Sequence, residues 1–237
     1  VLYTLRSRQF KSFLKHFRGI PLSFSFAKKI MALGFPMGLQ FTFEVTAFAF
    51  SAVMIGWMGA TALAAHQIAI NLASVAFMAA SGIASAASIR VGNQMGKKDI
   101  KTMREAAYTC AVMVVVFMTC TAILFISLRN FLPTIYINNP EVIAVASSLL
   151  VIAGIFQLSD GLQVVGLGML RGISDVKIPT IITLIAYWGI GLPSGYLLGF
   201  YFDLGPEGVW YGLLIGLSMA AVLLFARFNA VSKRLLE

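Results

Sequence analysis

Two carboxylates stand where carboxylates are expensive to keep. Glu44 lies at the middle of an otherwise uncharged apolar run, Ile30 to Met58, and Asp160 lies inside another, Val142 to Leu170. About 20 apolar residues suffice to cross the hydrocarbon core of a bilayer. A carboxylate at mid-depth costs roughly 2.5–3.5 kcal/mol on insertion scales, so it should have a partner or a task. Of the nine acids in the chain, only these two fall well inside such runs. Binding a cation or taking up a proton is the chemistry a carboxylate can do there.

The neighbours of both acids add to this reading. Gln40 precedes Glu44 by one helical turn and shares its face, with Gly34, Pro36 and Gly38 just before it. A proline inside a helix removes a backbone donor, which membrane helices tolerate where a neighbour or cavity satisfies the backbone. Gln157 and Gln163 flank Asp160 at three residues on either side, a polar stripe that predicts a face turned into a bundle rather than toward lipid. Asn71 could add to a cation site or serve packing, and Tyr187 and Trp188 could line a cavity or pack. His66 reads best as an interhelical or interfacial hydrogen-bonding group, and Arg171 as a snorkelling or locally paired side chain near Asp175. A carboxyl used only as a buried packing node is the plain alternative for Glu44 and for Asp160.

The elements that must position these groups follow from hydropathy. The 237 residues are 59% hydrophobic and only 11% charged, against about 25% charged in soluble domains. The expected fold class is therefore all-α, a polytopic membrane protein. Charge and Gly/Pro clusters divide the apolar runs into six transmembrane helices, near 30–57, 62–89, 106–128, 142–170, 178–201 and 208–226. The segments expected are a basic linker over 1–29, a six-helix lobe over 30–230 and a tail over 231–237. Cys110 and Cys120, ten residues apart in one run, suit small core residues rather than a disulfide.

Charge also assigns an orientation. All of the 18 basic residues except Arg129 fall on one side of the six spans, whereas Asp203 and Glu207 fall on the other. The positive-inside rule then places both termini in the cytoplasm. A net charge of +9 distributed in this way implies contact with anionic membrane lipid rather than nucleic acid. Phe10, Phe13, Leu14 and Phe17, interleaved with Arg6, Lys11, Lys15 and Arg18, suit either an amphipathic helix on the membrane surface or a solvated basic connector. The chain carries no H-E-x-x-H, no Gly-rich phosphate loop and no G-x-S-x-G, so nothing points to an enzyme or a bound cofactor.

Several stretches in one order resemble the MATE family of multidrug and toxin extruders, most of all its bacterial NorM-like branch. They are Gly34-Phe-Pro-Met-Gly-Leu-Gln40 through Glu44, Leu63-Ala-Ala-His-Gln-Ile-Ala-Ile-Asn71, Ser88-Ile-Arg-Val-Gly92, Asp160-Gly-Leu-Gln163, Leu170-Arg-Gly172 with Asp175, Gly191-Leu-Pro193 with Gly195, and Gly208-Val-Trp-Tyr-Gly212. The resemblance runs from about residue 27 to 230. It implies the C-terminal six-helix lobe of a twelve-helix antiporter in the inner membrane, preceded in the same polypeptide by an N-terminal lobe that is missing here. Such a protein exports organic cations in exchange for Na⁺ or H⁺. Glu44 and Asp160 match the coupling carboxylates of that lobe and would be the ligands if the ion is Na⁺. Gln40, Asn71, Phe156, Gln163 and Tyr187 are the candidate residues of the cation or substrate cavity. Phe156 stands where NorM-like members carry a tyrosine, so a phenol is absent at that position and the coupling ion stays open. A lipid-linked oligosaccharide flippase of the same superfamily, and a six-helix channel or scaffold, are the rival readings.

Overall fold

The computed structural model describes residues 24–235, which form helices joined by short connections. The helices are α1 (Phe24–Gly56), α2 (Ala60–Gly96), α3 (Ile100–Ser127), α4 (Pro140–Gly172), α5 (Lys177–Tyr201) and α6 (Gly205–Arg234). All six are long and apolar enough to cross a membrane. The chain divides at Pro36 into two compact units, and the lobe considered below runs from Pro36 onward.

Each helix exceeds or shifts from its apolar run because helix boundaries follow caps rather than hydropathy. The turns from Phe24 to Lys29, assigned to the linker on composition, are already helical. The earlier part of that linker, with its aromatic and basic repeat, lies outside the described residues. At the N-terminus of α3, the Asp99 side chain accepts a hydrogen bond from the Thr102 amide at 3.1 Å, so the helix begins at Ile100. The side chain of Thr102, and after it this amide, hold the Asp99 carboxyl below its usual pKa. Asn139 caps α4 in the same way ahead of Pro140, a residue suited to a first helical position. Helix α2 continues to Gly96 and α6 to Arg234, so most of the nominal tail is helical.

Helix α4 is the centre of the lobe and packs against α2, α3 and α6. Small residues allow this, as expected where lipid supplies no hydrophobic drive between helices. Buried alanines Ala73, Ala76, Ala80, Ala84 and Ala87 recur along α2 at helical spacing. A Cβ on Gly168 of α4 would lie 2.3 Å from the Ala84 carbonyl oxygen, so these two backbones are nearly in contact. Helix α5 alternates α-helical turns with wider π-helical ones at Ile185–Gly191 and Leu197–Tyr201. Pro193 removes the donor that the Gly189 carbonyl would otherwise receive, one physical reason for the altered winding.

Two apolar clusters fill the lobe, and α4 contributes to both. One holds Leu149, Leu150, Phe156, Tyr187 and Trp210; the other holds Val114, Met118, Val164, Leu170 and Phe228. Between Phe156 and Val164 the same helix presents Gln157, Asp160 and Gln163, all buried. The polar stripe read from the sequence therefore faces inward, along the seam between the clusters. Cys110 is buried, but Cys120 is exposed, contrary to the expectation of two core cysteines, because it falls on the outer face of α3.

At the basic end, Arg104 donates to Ser232 Oγ at 2.6 Å and to Asn229 Oδ1 at 3.0 Å, tying α3 to α6. Arg227 pairs with Asp175 at 2.8 Å. At the opposite end, Ser148 donates to Glu207 at 2.5 Å.

Candidate functional site

Glu44 and Asp160 come from different helices and line one cavity of about 250 Å³. Glu44 is 6% exposed and Asp160 4%. The rest of the wall is Phe41, Val45, Phe48 and Phe156, with Ile70, Ala73, Ser74 and Phe77 from α2. The two carboxyls are close enough for their charges to act on one another. Like charges in an apolar cavity repel, and a positive occupant relieves that repulsion. Aromatic faces beside a cation add attraction of their own. The arrangement is thus suited to a cation that is small, or lipophilic, or both in turn.

Helix α1 reaches the bundle through side chains. Thr180 Oγ1 of α5 donates to the Pro36 carbonyl at 2.9 Å, and Trp188 Nε1 donates to the Phe43 carbonyl at 3.1 Å. Phe48 meets Phe156 and Tyr187, with ring centroids 6.1 Å apart in each case. The carboxyl of Glu44 is thereby held between α4 and α5. Gln40 Nε2 donates to Glu44 Oε2 at 3.0 Å, the one-turn pairing expected from the sequence.

The hydroxyl of Tyr187 and the carboxamide of Gln163 lie beside the Glu44 carboxyl, and Tyr187 is close to Asp160 as well. Neither group has a hydrogen-bond partner of ordinary geometry, although both side chains are fully buried. Buried polar groups are normally satisfied, and for these two the Glu44 carboxyl is the neighbouring acceptor. Gln157 is orphaned in the same manner. Among the described residues, no group of three or more His, Cys, Asp or Glu side chains could hold a metal ion. A cation here would rely on two carboxylates supplemented by neutral oxygens, a set appropriate to a hard ion.

The other candidates separate from this centre. Asn71 is exposed, and its Oδ1 accepts a hydrogen bond from Tyr136 in the α3–α4 connection at 2.8 Å. It thus has a partner outside the cavity lined by Glu44 and Asp160. Phe156 does line that cavity, and it also packs edge-on against Trp210 at 5.5 Å. His66 accepts from Trp210 Nε1 at 3.1 Å, the interhelical bond anticipated for it.

Arg171 departs from expectation. Asp175, its neighbour in sequence, is taken by Arg227, and Arg171 instead donates to Gln40 Oε1 at 2.6 Å. Helical geometry accounts for the change. Residues 160 and 171 are about three turns apart, so Arg171 lies on the same face of α4 as Asp160. That periodicity was available in the sequence, whereas proximity along the chain favoured the wrong acid.

Comparison with known proteins agrees with this architecture. Residues 36–197 match the MatE family. The multidrug resistance protein MdtK of Photorhabdus laumondii is 46% identical over 211 residues, covering 87% of this chain and 46% of its own length. MdtK of Proteus mirabilis is 43% identical over 204 residues, covering 84% of this chain and 45% of its own. The chain therefore spans about half the length of the curated relatives it matches. In fold it resembles the crystal structure of the eukaryotic MATE transporter AtDTX14, with a TM-score of 0.85 at 22% identity over 99% of this chain and 53% of that one. The chain is a multi-pass membrane protein and belongs to the MatE family.

Proposed function

We propose that this chain forms the C-terminal lobe of a multidrug efflux antiporter of the inner membrane, exporting organic cations in exchange for Na⁺ or H⁺. The observation that carries the reading is the pair of buried carboxylates, Glu44 and Asp160, on the wall of an aromatic cavity. The names of the relatives, multidrug resistance proteins, favour the same class of substrate. The coupling ion binds between Glu44 and Asp160, with Gln163 and Tyr187 supplying neutral oxygens if that ion is Na⁺. Binding favours the conformation from which a cationic drug is released, so the two cations exchange through linkage. The N-terminal lobe of the same polypeptide completes the cavity, and membrane lipid surrounds both. The asymmetric basic residues favour cytoplasmic termini.

The test is efflux by the complete gene product. Everted membrane vesicles are loaded with ethidium under a Na⁺ gradient or a pH gradient, each imposed separately. Glu44→Gln and Asp160→Asn should each abolish gradient-driven transport while the protein remains in the membrane at its usual level. Unchanged transport in both variants would overturn the assignment.

A further inference from the structure

The coupling pair makes no direct use of Arg171, yet Arg171 is joined to it. The guanidinium donates to Gln40 Oε1 at 2.6 Å, and Gln40 Nε2 donates to Glu44 Oε2 at 3.0 Å. Because a guanidinium has donors and no acceptor, the carboxamide is oriented by chemistry: oxygen toward Arg171, nitrogen toward Glu44. Gln40 is 2% exposed, so little water is present to compete for either bond. A tight cluster of Met37, Leu167, Val176 and Pro179 closes around the bridge.

Electrostatics gives this bridge a consequence. The ionisable groups facing Glu44 are Asp160, Tyr187 and, through Gln40, Arg171. Asp175 lines the same small cavity but is paired with Arg227, so the cluster keeps one net positive charge. A fixed positive charge one carboxamide away repels a second cation arriving at Glu44. The Gln40 N–H also occupies one carboxylate oxygen that the cation would use.

Resting on the coupling role of Glu44, we propose that Arg171 is a positioning residue that acts through Gln40 as a resident counter-cation. It orients the Glu44 carboxylate and weakens its hold on the coupling cation, so that the ion is released and the cycle turns over. An exchanger needs this, because a cation bound too tightly stops transport as surely as one not bound.

Ethidium efflux by the complete gene product in everted vesicles tests the idea, using whichever gradient, Na⁺ or H⁺, drives the unsubstituted protein. In Arg171→Gln the concentration of driving cation giving half-maximal rate should fall about tenfold. The maximal rate should fall with it, and the half-saturating ethidium concentration should stay put. Arg171→Lys keeps the charge and should restore most of the driving-cation value. Gln40→Met should shift that value in the same direction by a smaller factor. The double variant should show no further shift, because the two residues act in series. A lower maximal rate with the driving-cation value unchanged in Arg171→Gln, or additive shifts in the double variant, would overturn the proposal alone. If neither gradient drives the unsubstituted protein, the antiporter reading fails and takes this inference with it. Should Arg171→Gln not reach the membrane, Gln40→Met decides: an unshifted value counts against the bridge, and a lowered one supports it.

Discussion

Phe156 and Tyr187 flank a single ring, that of Phe48, each with its centroid 6.1 Å away, but only Tyr187 carries a hydroxyl toward the carboxyls. The family resemblance implies a phenol on α4, one turn before Asp160, where this chain has Phe156. The structure brings a phenol beside the two carboxyls from α5 instead, buried behind the cavity wall. Phe156, meanwhile, packs edge-on against Trp210 as part of the apolar core.

That relationship makes Tyr187→Phe informative. The change keeps the ring and its contact with Phe48 and removes one buried, unpartnered oxygen. A hydrogen bond to a charged group contributes about 1.5 kcal/mol at the low end, which corresponds to about a tenfold change. Gradient-driven ethidium efflux should therefore need about ten times more driving cation for half-maximal rate. An unchanged requirement would show that the hydroxyl takes no part in holding the ion.

A second prediction concerns stability rather than transport. Trp210 Nε1 donates to His66 Nδ1 at 3.1 Å between two fully or nearly buried side chains on α6 and α2. Accepting at Nδ1 places the imidazole proton on Nε2. Trp210→Phe would leave that acceptor without its donor and open space beside Phe156. An orphaned buried group costs about 1–3 kcal/mol, so the detergent-solubilised protein should melt several degrees lower. His66→Leu strands the indole N–H in the same way but opens no comparable space, so it should lower the melting temperature less. The reverse order would show that the hydrogen bond, not packing of the indole, holds the pair.

The six helices and the two acids were legible because bilayers penalise charge so heavily that hydropathy alone locates them. Helix ends were less so. Asp99 and Asn139 cap α3 and α4 through side-chain bonds that mean hydropathy does not register, and α2 runs on to Gly96 through polar residues. Within the site, Gln40 was legible from its one-turn spacing to Glu44. Arg171 was not, since Asp175 stood nearer in sequence while Gln40 stood nearer in space. Asn71 is left open by the sequence between a cation site and packing. Its actual partner, Tyr136, sits in a connection whose path no periodicity specifies.

The third prediction separates glycines that pack from glycines that merely occur. A Cβ on Gly212 of α6 would lie 2.2 Å from both the Cα and the amide nitrogen of Gly195 on α5, so neither a rotamer change nor a side-chain shift can make room. The two helices would have to part at the α-helical turn Leu192–Tyr196, between the two π segments of α5. Overpacking of this kind costs about 1–3 kcal/mol and more where backbone must move. A Cβ on Gly82 of α2, by contrast, meets nothing within 4 Å. There, alanine should be tolerated or stabilise slightly, by about 0.5–1 kcal/mol, as in other helix interiors. Thermal unfolding of Gly212→Ala and Gly82→Ala in the same detergent should therefore move in opposite directions. Because the displaced helix carries Tyr187, Gly212→Ala should also raise the driving-cation requirement for efflux at temperatures where the protein is still folded. A Gly212→Ala protein with normal melting and normal coupling would mean that α5 and α6 are not held at this distance in the membrane.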